Sequence, residues 1–170
     1  MPLSLLPKYR AESLTDLTPA FLRSRNIRLL LLDFDNTVVP YTTDTPTAEM
    51  AAWLEAMKAS DIPICVVSNS RKDRVKVFCD QWGIPCVRRA LKPLGRGIRQ
   101  AMAQFGAVPE QTALAGDQIF TDTLGGNLCG LTTVLVMPIN NHNFWLKARH
   151  VLEQPLIYLA RKRSISYEKS

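Results

Sequence analysis

The sequence lacks the features of a membrane-spanning, exported or disulfide-bonded protein. Its longest strongly apolar run covers residues 27–32 and contains Arg28, so it is far too short to cross a bilayer. No basic and apolar segment followed by small residues opens the chain, which argues against a signal peptide. The four cysteines form no CxxC pair, and we expect reduced core residues rather than metal ligands. These absences predict a cytoplasmic protein.

The sequence does have an ordinary globular composition with an excess of positive charge. Its 170 residues, 46% hydrophobic and 21% charged, suit a single domain over residues 1–170 with a core at about 27–140. The formal net charge is +6, and ten basic residues stand against three acidic ones between Lys58 and Arg99. Residues 161–163 add a second basic cluster. This excess fits either a solvated face or an anionic partner, such as a phosphorylated substrate, a lipid or a nucleic acid.

Short runs of leucine and β-branched residues alternate with amphipathic stretches from residue 27 onward. The predicted strands cover residues 28–34, 62–67, 85–88, 112–115 and 133–137. The predicted helices cover residues 47–60, 71–82, 92–105 and 121–128, with Pro93 in the first turn of the third. Strands separated by helices predict an α/β fold: a Rossmann-like three-layer α/β/α sandwich with a mainly parallel five-stranded sheet.

Two segments flank this core. Residues 5–24 are predicted to be helical or irregular, and Thr18-Pro19 resembles a helix start. Residues 143–163 are rich in aromatic and aliphatic side chains and contain Pro155. They fit either a closing helix or an amphipathic surface for a membrane or a partner.

The end of the first predicted strand carries two carboxylates. Asp33 and Asp35 stand two residues apart in an extended segment, so both are expected to face one pocket. Their mutual repulsion calls for a cation or a shared proton. One carboxylate can attack phosphorus while the other donates a proton to the leaving oxygen and later activates water. Taken alone, DxDNT is equally a pair of turn-forming aspartates.

Phosphate-binding candidates follow the second strand and precede the third helix. Ser68, Asn69 and backbone amides at a helix start suit phosphate oxygens, although Ser68, Asn69 or Ser70 can equally cap that helix. Lys92 can neutralise a transferred phosphoryl group and its nucleophile, or it can be a surface charge.

The fourth strand also ends in carboxylates. Asp117 is expected at the same sheet edge as Asp33, where it can complete an oxygen site for magnesium. Asp122 is expected to orient Lys92 or a metal-bound water, unless it is only the first acid of a short helix.

The order of these groups resembles the four-motif pattern of the haloacid dehalogenase (HAD) superfamily over roughly residues 28–137. The resemblance implies that Asp33 is the nucleophile and a metal ligand. It implies that Asp35 is the general acid/base, ligating the metal through its backbone carbonyl. Ser68 would bind phosphate, Lys92 would stabilise charge, and Asp117 would complete the metal site.

The same resemblance implies Mg²⁺ as the cofactor, bridging Asp33 and the phosphate. An aspartate at position 35 is typical of phosphatases in this superfamily rather than of dehalogenases. The intervals after Asp35 and after Ser68 are too short for a cap domain. An open pocket is therefore expected, suited to a large phosphate ester or to a cap from a neighbouring subunit.

A narrower resemblance covers about residues 5–147. The stretch LLPKYRAESLTDLTPAFLRSRNIRLLLLDFDNTVVPY, together with VVSNS, KP and GDQIFTDTLGGN, is similar to the YqeG-type capless branch, whose eukaryotic relatives are mitochondrial phosphatidylglycerophosphate phosphatases. It implies hydrolysis of phosphatidylglycerophosphate to phosphatidylglycerol. Peripheral binding at the inner face of a membrane would suit the positive charge, Phe144, Trp145 and residues 156–163.

Two other functions compete with this hypothesis. A soluble phosphatase could act on nucleotides, sugar phosphates or nucleic-acid ends, but no aromatic stacking surface lies near the motifs. A non-enzymatic phosphoacceptor receiver is the other, but its aspartate normally follows the third strand and not the first. No heptad repeat is present, so no subunit number is predicted.

Overall fold

A computed structural model describes residues 4–140. In chain order the elements are β1 (Tyr9–Ala11), α1 (Pro19–Ser24), β2 (Leu29–Leu32), α2 (Ala48–Lys58), β3 (Ile64–Val67), α3 (Arg74–Trp82), β4 (Cys86–Val87), α4 (Arg96–Gln104), β5 (Thr112–Gly116), α5 (Leu124–Leu128) and β6 (Thr132–Val136). The strands form one six-stranded sheet in the order β1-β6-β5-β2-β3-β4, and every pair is parallel. The predicted Rossmann-like α/β fold is confirmed.

The central strand β2 shows how the layers are built. All four of its leucines are buried, as expected for a parallel strand covered on both faces. Leu30 and Leu32 join a core packed with side chains of α2 and α3, whereas Leu29 and Leu31 join a core packed with α4. This alternation places helices on both faces of the sheet, which is the predicted three-layer arrangement.

The strand count is six, and the predicted five omitted β1. Tyr9 and Ala11 pair with Val134 and Val136 of β6, and the Lys8 amide continues the ladder to the Thr133 carbonyl at 3.0 Å. A strand of three residues has too little alternation to be distinguished by pattern. The pairing with β6 therefore decides its conformation.

The structure confirms one predicted helix start and corrects two others. Thr18 caps α1 by accepting the Phe21 amide at 3.2 Å, which confirms the start at Thr18-Pro19. The helix predicted from Lys92 begins only at Arg96, because Gly95 takes a left-handed φ of 71° and ends the loop that contains Lys92 and Pro93. The predicted helix at 121–128 is a wide π turn, Ile119–Thr123, that continues into α5.

The chain between the strands of residues 4–140 has no inserted domain. Between β2 and β3 the chain forms only an irregular segment and α2, and between β3 and β5 only α3, β4 and α4. Within residues 4–140 there is thus no cap domain. No helix in this described range is long and apolar enough to cross a bilayer. The predicted segment 143–163 and the basic cluster 161–163 lie outside the described residues.

Candidate active site

The predicted site residues meet where the parallel strands end. Asp33 follows β2, Ser68 follows β3 and Asp117 follows β5. The Asp33 amide still donates to the Ala115 carbonyl at 2.9 Å, and the Ser68 amide to the Val87 carbonyl at 3.0 Å. The sheet ladder thus fixes the backbone of the candidate nucleophile, at the edge where ligands bind in such folds.

Lys92 lies between two aspartates beneath this edge. Its Nζ contacts Asp33 Oδ1 at 2.7 Å and Asp122 Oδ1 at 2.7 Å, and its side chain is 1% exposed. Burial disfavours the ammonium, but Asp122 and Asp33 outweigh that cost and raise the pKa of Lys92 above its usual value. Lys92 is therefore a permanently charged group against the candidate nucleophile.

Asp122 is held from two sides. Its Oδ1 accepts from Lys92, and its Oδ2 accepts from the Gln118 amide at 3.1 Å. Burial raises the pKa of Asp122, while the Lys92 ammonium opposes that rise. A methyl group at Gly116 would collide with the Asp122 carboxylate, so only glycine permits this close approach. Asp122 thus lies against Lys92, and its role in orienting that lysine stays a prediction.

Thr37 connects the carboxylates of the two central strands. Its Oγ1 lies 3.4 Å from Asp33 Oδ2 and 3.5 Å from Asp117 Oδ1. Oxygens of Asp33, Asp117 and Asp122 all lie within 4.8 Å of one another, and the three residues are buried. Three carboxylates against one ammonium leave excess negative charge, and an all-oxygen donor set fits a hard cation such as Mg²⁺.

Asp35 is not part of this cluster and contacts Arg74. Arg74 Nη1 donates to Asp35 Oδ1 at 3.1 Å, and Arg74 Nε lies 2.9 Å from an oxygen of Asp44. Arg74 Nη2 also donates to the carbonyls of Pro40 (3.0 Å) and Thr43 (2.6 Å). Arg74 therefore fastens Asp35 to residues 40–44, a segment that we call the flap.

The electrostatic balance at Asp35 follows from these neighbours. Burial raises its pKa above the ordinary aspartate value; the Arg74 guanidinium opposes this rise, and the Asp33 carboxylate adds to it. A raised pKa suits a group that alternates between proton donor and proton acceptor.

Ser68 and Asn69 both shape the loop after β3. Ser68 Oγ accepts the Ser70 amide at 3.0 Å, so it stabilises a turn and does not cap α3, which begins at Arg74. Asn69 bonds both ends of its amide to the Lys92 backbone, with Nδ2 to the carbonyl at 2.9 Å and Oδ1 to the amide at 2.7 Å. Asn69 thus positions the loop that carries Lys92.

Three residues of this site were not identified from the sequence. Thr37 and Asn36 stand in the quoted DFDNT stretch, and the positive φ of Asn36, 62°, is a conformation that asparagine favours. The Asn36 side chain bonds the backbone of Asn140 in both directions, at 2.8 Å each. For Arg74 no local signal existed, because arginine on a helix is usually solvated.

Comparisons with known proteins identify the family of the chain. The family model described as mitochondrial PGP phosphatase matches residues 1–140. A Bacillus subtilis (strain 168) protein described as "probable phosphatase YqeG" is 34% identical over 166 residues, 96% of each chain.

Solved structures share the fold at low sequence identity. The cobalt-bound deoxy-D-mannose-octulosonate 8-phosphate phosphatase of Haemophilus influenzae has a TM-score of 0.53 at 14% identity, covering 82% of this chain and 92% of that one. A subfamily III A HAD hydrolase from Legionella pneumophila has a TM-score of 0.51 at 13% identity, with 84% and 88% covered. With the family match above, the conclusion is that the chain belongs to the PGP phosphatase family and is a phosphatase whose described residues, 4–140, share the fold of these HAD hydrolases and contain no cap domain.

Proposed function

We propose that this protein is a Mg²⁺-dependent phosphomonoesterase that removes the terminal phosphate of phosphatidylglycerophosphate through an aspartyl-phosphate on Asp33. The observation that carries the proposal is the buried Lys92 ammonium at 2.7 Å from Asp33, at the open end of the central strand. The ammonium offsets the negative charge of Asp33 that repels an incoming phosphate.

The proposed reaction has two steps. An Asp33 carboxylate oxygen attacks phosphorus and the ester P–O bond breaks, while Asp35 gives its proton to the leaving oxygen. Asp35, now ionised, then takes a proton from water, whose oxygen attacks phosphorus and releases phosphate from Asp33. Lys92 offsets the charge on Asp33 and the phosphoryl oxygens in both steps.

The remaining residues have supporting roles. The Ser68 hydroxyl is proposed to bind a phosphoryl oxygen. Asn69 is proposed to contribute to phosphate binding indirectly, because its two hydrogen bonds hold the backbone of Lys92 in place. Asp33, Asp117 and the Asp35 carbonyl would hold the Mg²⁺. When bound, the ion supplies positive charge that lowers the repulsion between Asp33 and the substrate phosphate.

The lipid substrate is supported by the family and by the open site. The matching family is described as a PGP phosphatase, and no element of residues 4–140 closes over Asp33 to enclose a small ester. The net charge of +6 favours an anionic surface. We place the protein in the cytoplasm, bound peripherally to the inner face of the membrane.

Phosphate release from two kinds of substrate tests this proposal. The first is phosphatidylglycerophosphate in vesicles, and the second is a panel of soluble nucleotides, sugar phosphates and phosphorylated nucleic-acid ends. Vesicle turnover should exceed turnover of every soluble ester, should stop when a chelator removes Mg²⁺, and should return when Mg²⁺ is restored. Rapid hydrolysis of a soluble ester with none on vesicles would reject the lipid substrate but keep the phosphatase chemistry.

A further inference from the structure

A basic groove opens beside the active site. It has a volume of about 780 Å³ and runs between the loop after β3, the loop before α4 and α4 itself. Arg71, Arg88, Arg89 and Arg96 line it, and we call it the arginine groove. Lys92 and Asn69 also line it, and no Asp or Glu does. The groove therefore borders two residues of the site, although Asp33 itself does not line it.

Three of these arginines form no ion pair within the described residues. Arg88 pairs with Asp73 at 2.8 Å, but within residues 4–140 no carboxylate forms an ion pair with Arg71, Arg89 or Arg96. All three are exposed. Their charge can meet an external anion without first breaking an internal ion pair.

Two leucines project from the loop beside these charges. Leu91 is 48% exposed and Leu94, which lines the groove, is 71% exposed. The backbone just before Leu91 is anchored to the loop after β3, because the Ala90 amide donates to the Ser68 carbonyl at 3.0 Å and Ala90 is buried. Exposed apolar side chains on a fixed basic rim are typical of proteins that bind at a membrane interface.

We propose that the arginine groove, with Leu91 and Leu94, is the surface that docks on a bilayer of anionic lipids. Arg71, Arg89 and Arg96 contact lipid phosphates while the two leucines enter the interfacial layer. The inference rests on the proposed lipid substrate and adds the surface that would present it. A headgroup bound in the groove lies next to Lys92, which contacts Asp33 directly.

A nucleic acid fits this surface less well. Single-stranded nucleic acids bind where aromatic rings stack on bases, and no aromatic residue lines the groove. A surface that binds the phosphates of a nucleic acid has no need of exposed leucines. At a lipid interface, by contrast, the transfer of these leucines out of water is favourable.

The test is co-sedimentation of the full-length protein with vesicles. Phosphatidylcholine vesicles are compared with vesicles that also contain phosphatidylglycerol, at low and high salt, with no phosphatase substrate present. The variants are the pair Arg89→Gln/Arg96→Gln and the pair Leu91→Ser/Leu94→Ser. The matched control is Arg28→Gln/Lys58→Gln, two exposed cations at the opposite edge of the sheet. Thermal unfolding verifies that each variant is folded.

The parent protein should bind only the anionic vesicles, and less so at high salt. The arginine pair should lose about fivefold in binding for each charge removed, and the control should lose less than about twofold. The leucine pair should lose about tenfold at either salt concentration.

Several results would overturn the proposal. These are unchanged binding of the arginine pair, an equal loss in the control pair, equal binding to phosphatidylcholine, or displacement from vesicles by a single-stranded oligonucleotide. Turnover of phosphatidylglycerophosphate is measured separately. If the protein hydrolyses phosphatidylglycerophosphate but the groove variants bind vesicles as well as the parent does, the docking surface alone is rejected. If vesicle binding depends on the groove but phosphatidylglycerophosphate is not hydrolysed, the substrate alone is rejected.

Discussion

The carboxyl edge of the sheet carries two charged regions that are balanced differently. At the ends of β2 and β5, Asp33 and Asp122 contact Lys92 at 2.7 Å each in a buried cluster. In the arginine groove beside them, Arg88 pairs with Asp73, but three exposed arginines form no ion pair with an acid of residues 4–140: Arg71, Arg89 and Arg96. Groups that react need fixed neighbours, whereas groups that recruit an anion need free charge. Lys92 belongs to both regions and is the link between them.

The strongest challenge to the buried region is Asp33→Asn. The amide keeps the shape and can still accept from Lys92, but it is a poor nucleophile, so we expect kcat to fall by at least about 10⁴-fold. Phosphate release under saturating Mg²⁺ measures this, with circular dichroism to show that the fold persists. Asp61→Asn, at an exposed aspartate, is the control. Normal turnover in Asp33→Asn would remove Asp33 as the nucleophile.

The next largest effect is expected from Lys92→Met. A methionine fills similar space but leaves Asp33 and Asp122 buried without their shared cation, so kcat should fall by about 10²- to 10³-fold. Lys58→Met tests the loss of an exposed lysine, which should leave turnover unchanged. If Lys92→Met behaved like that control, the ammonium would have no part in the reaction.

A smaller effect is expected at Arg74, which acts through Asp35. Arg74→Gln releases Asp35 from the flap, and turnover should fall by about tenfold to 10²-fold. Arg74→Lys keeps the charge but loses the fork that reaches Pro40 and Thr43, so it should recover part of the activity. Arg23→Gln, at an exposed pair with Asp61, is the matched control. If Arg74→Lys lost as much turnover as Arg74→Gln, the positive charge beside Asp35 would not be the cause of the loss.

The smallest expected effect on chemistry belongs to Gly116→Ala. The added methyl pushes Asp122 away from Lys92, which should lower the free energy of unfolding by about 1–3 kcal/mol and reduce turnover severalfold. Gly106→Ala, where the methyl meets open space at a positive φ, measures backbone strain alone. Denaturant unfolding of both variants separates packing from strain. A Gly116→Ala protein as stable and active as the parent would contradict the close contact with Asp122.

The regular part of the fold was predictable because its pattern is local. Buried leucines in β2 and the helices between strands are visible in any short window of the sequence. The strand β1 was missed because only its partner β6 makes it a strand. The start of α4 was misplaced because proline after lysine suits a helix N-terminus, whereas here the left-handed Gly95 separates Pro93 from the helix.

The candidate site likewise has residues that the sequence predicts and contacts that it does not. Asp33, Asp117 and Lys92 could be placed near one another because parallel strands end at one edge. The contacts of Thr37 and Arg74 depend on how the loop after β2 and the start of α3 approach each other, which no spacing encodes. Asn69 was predicted to bind phosphate directly, but its tertiary contact with the Lys92 backbone is invisible in the sequence.

The place of β1 in the sheet has a consequence for truncation experiments. Tyr9–Ala11 form an edge strand whose partner in the sheet is β6, far along the sequence. A truncation that removes Tyr9–Ala11 would leave one side of β6 without a strand, and its unpaired amides and carbonyls could then pair with another chain.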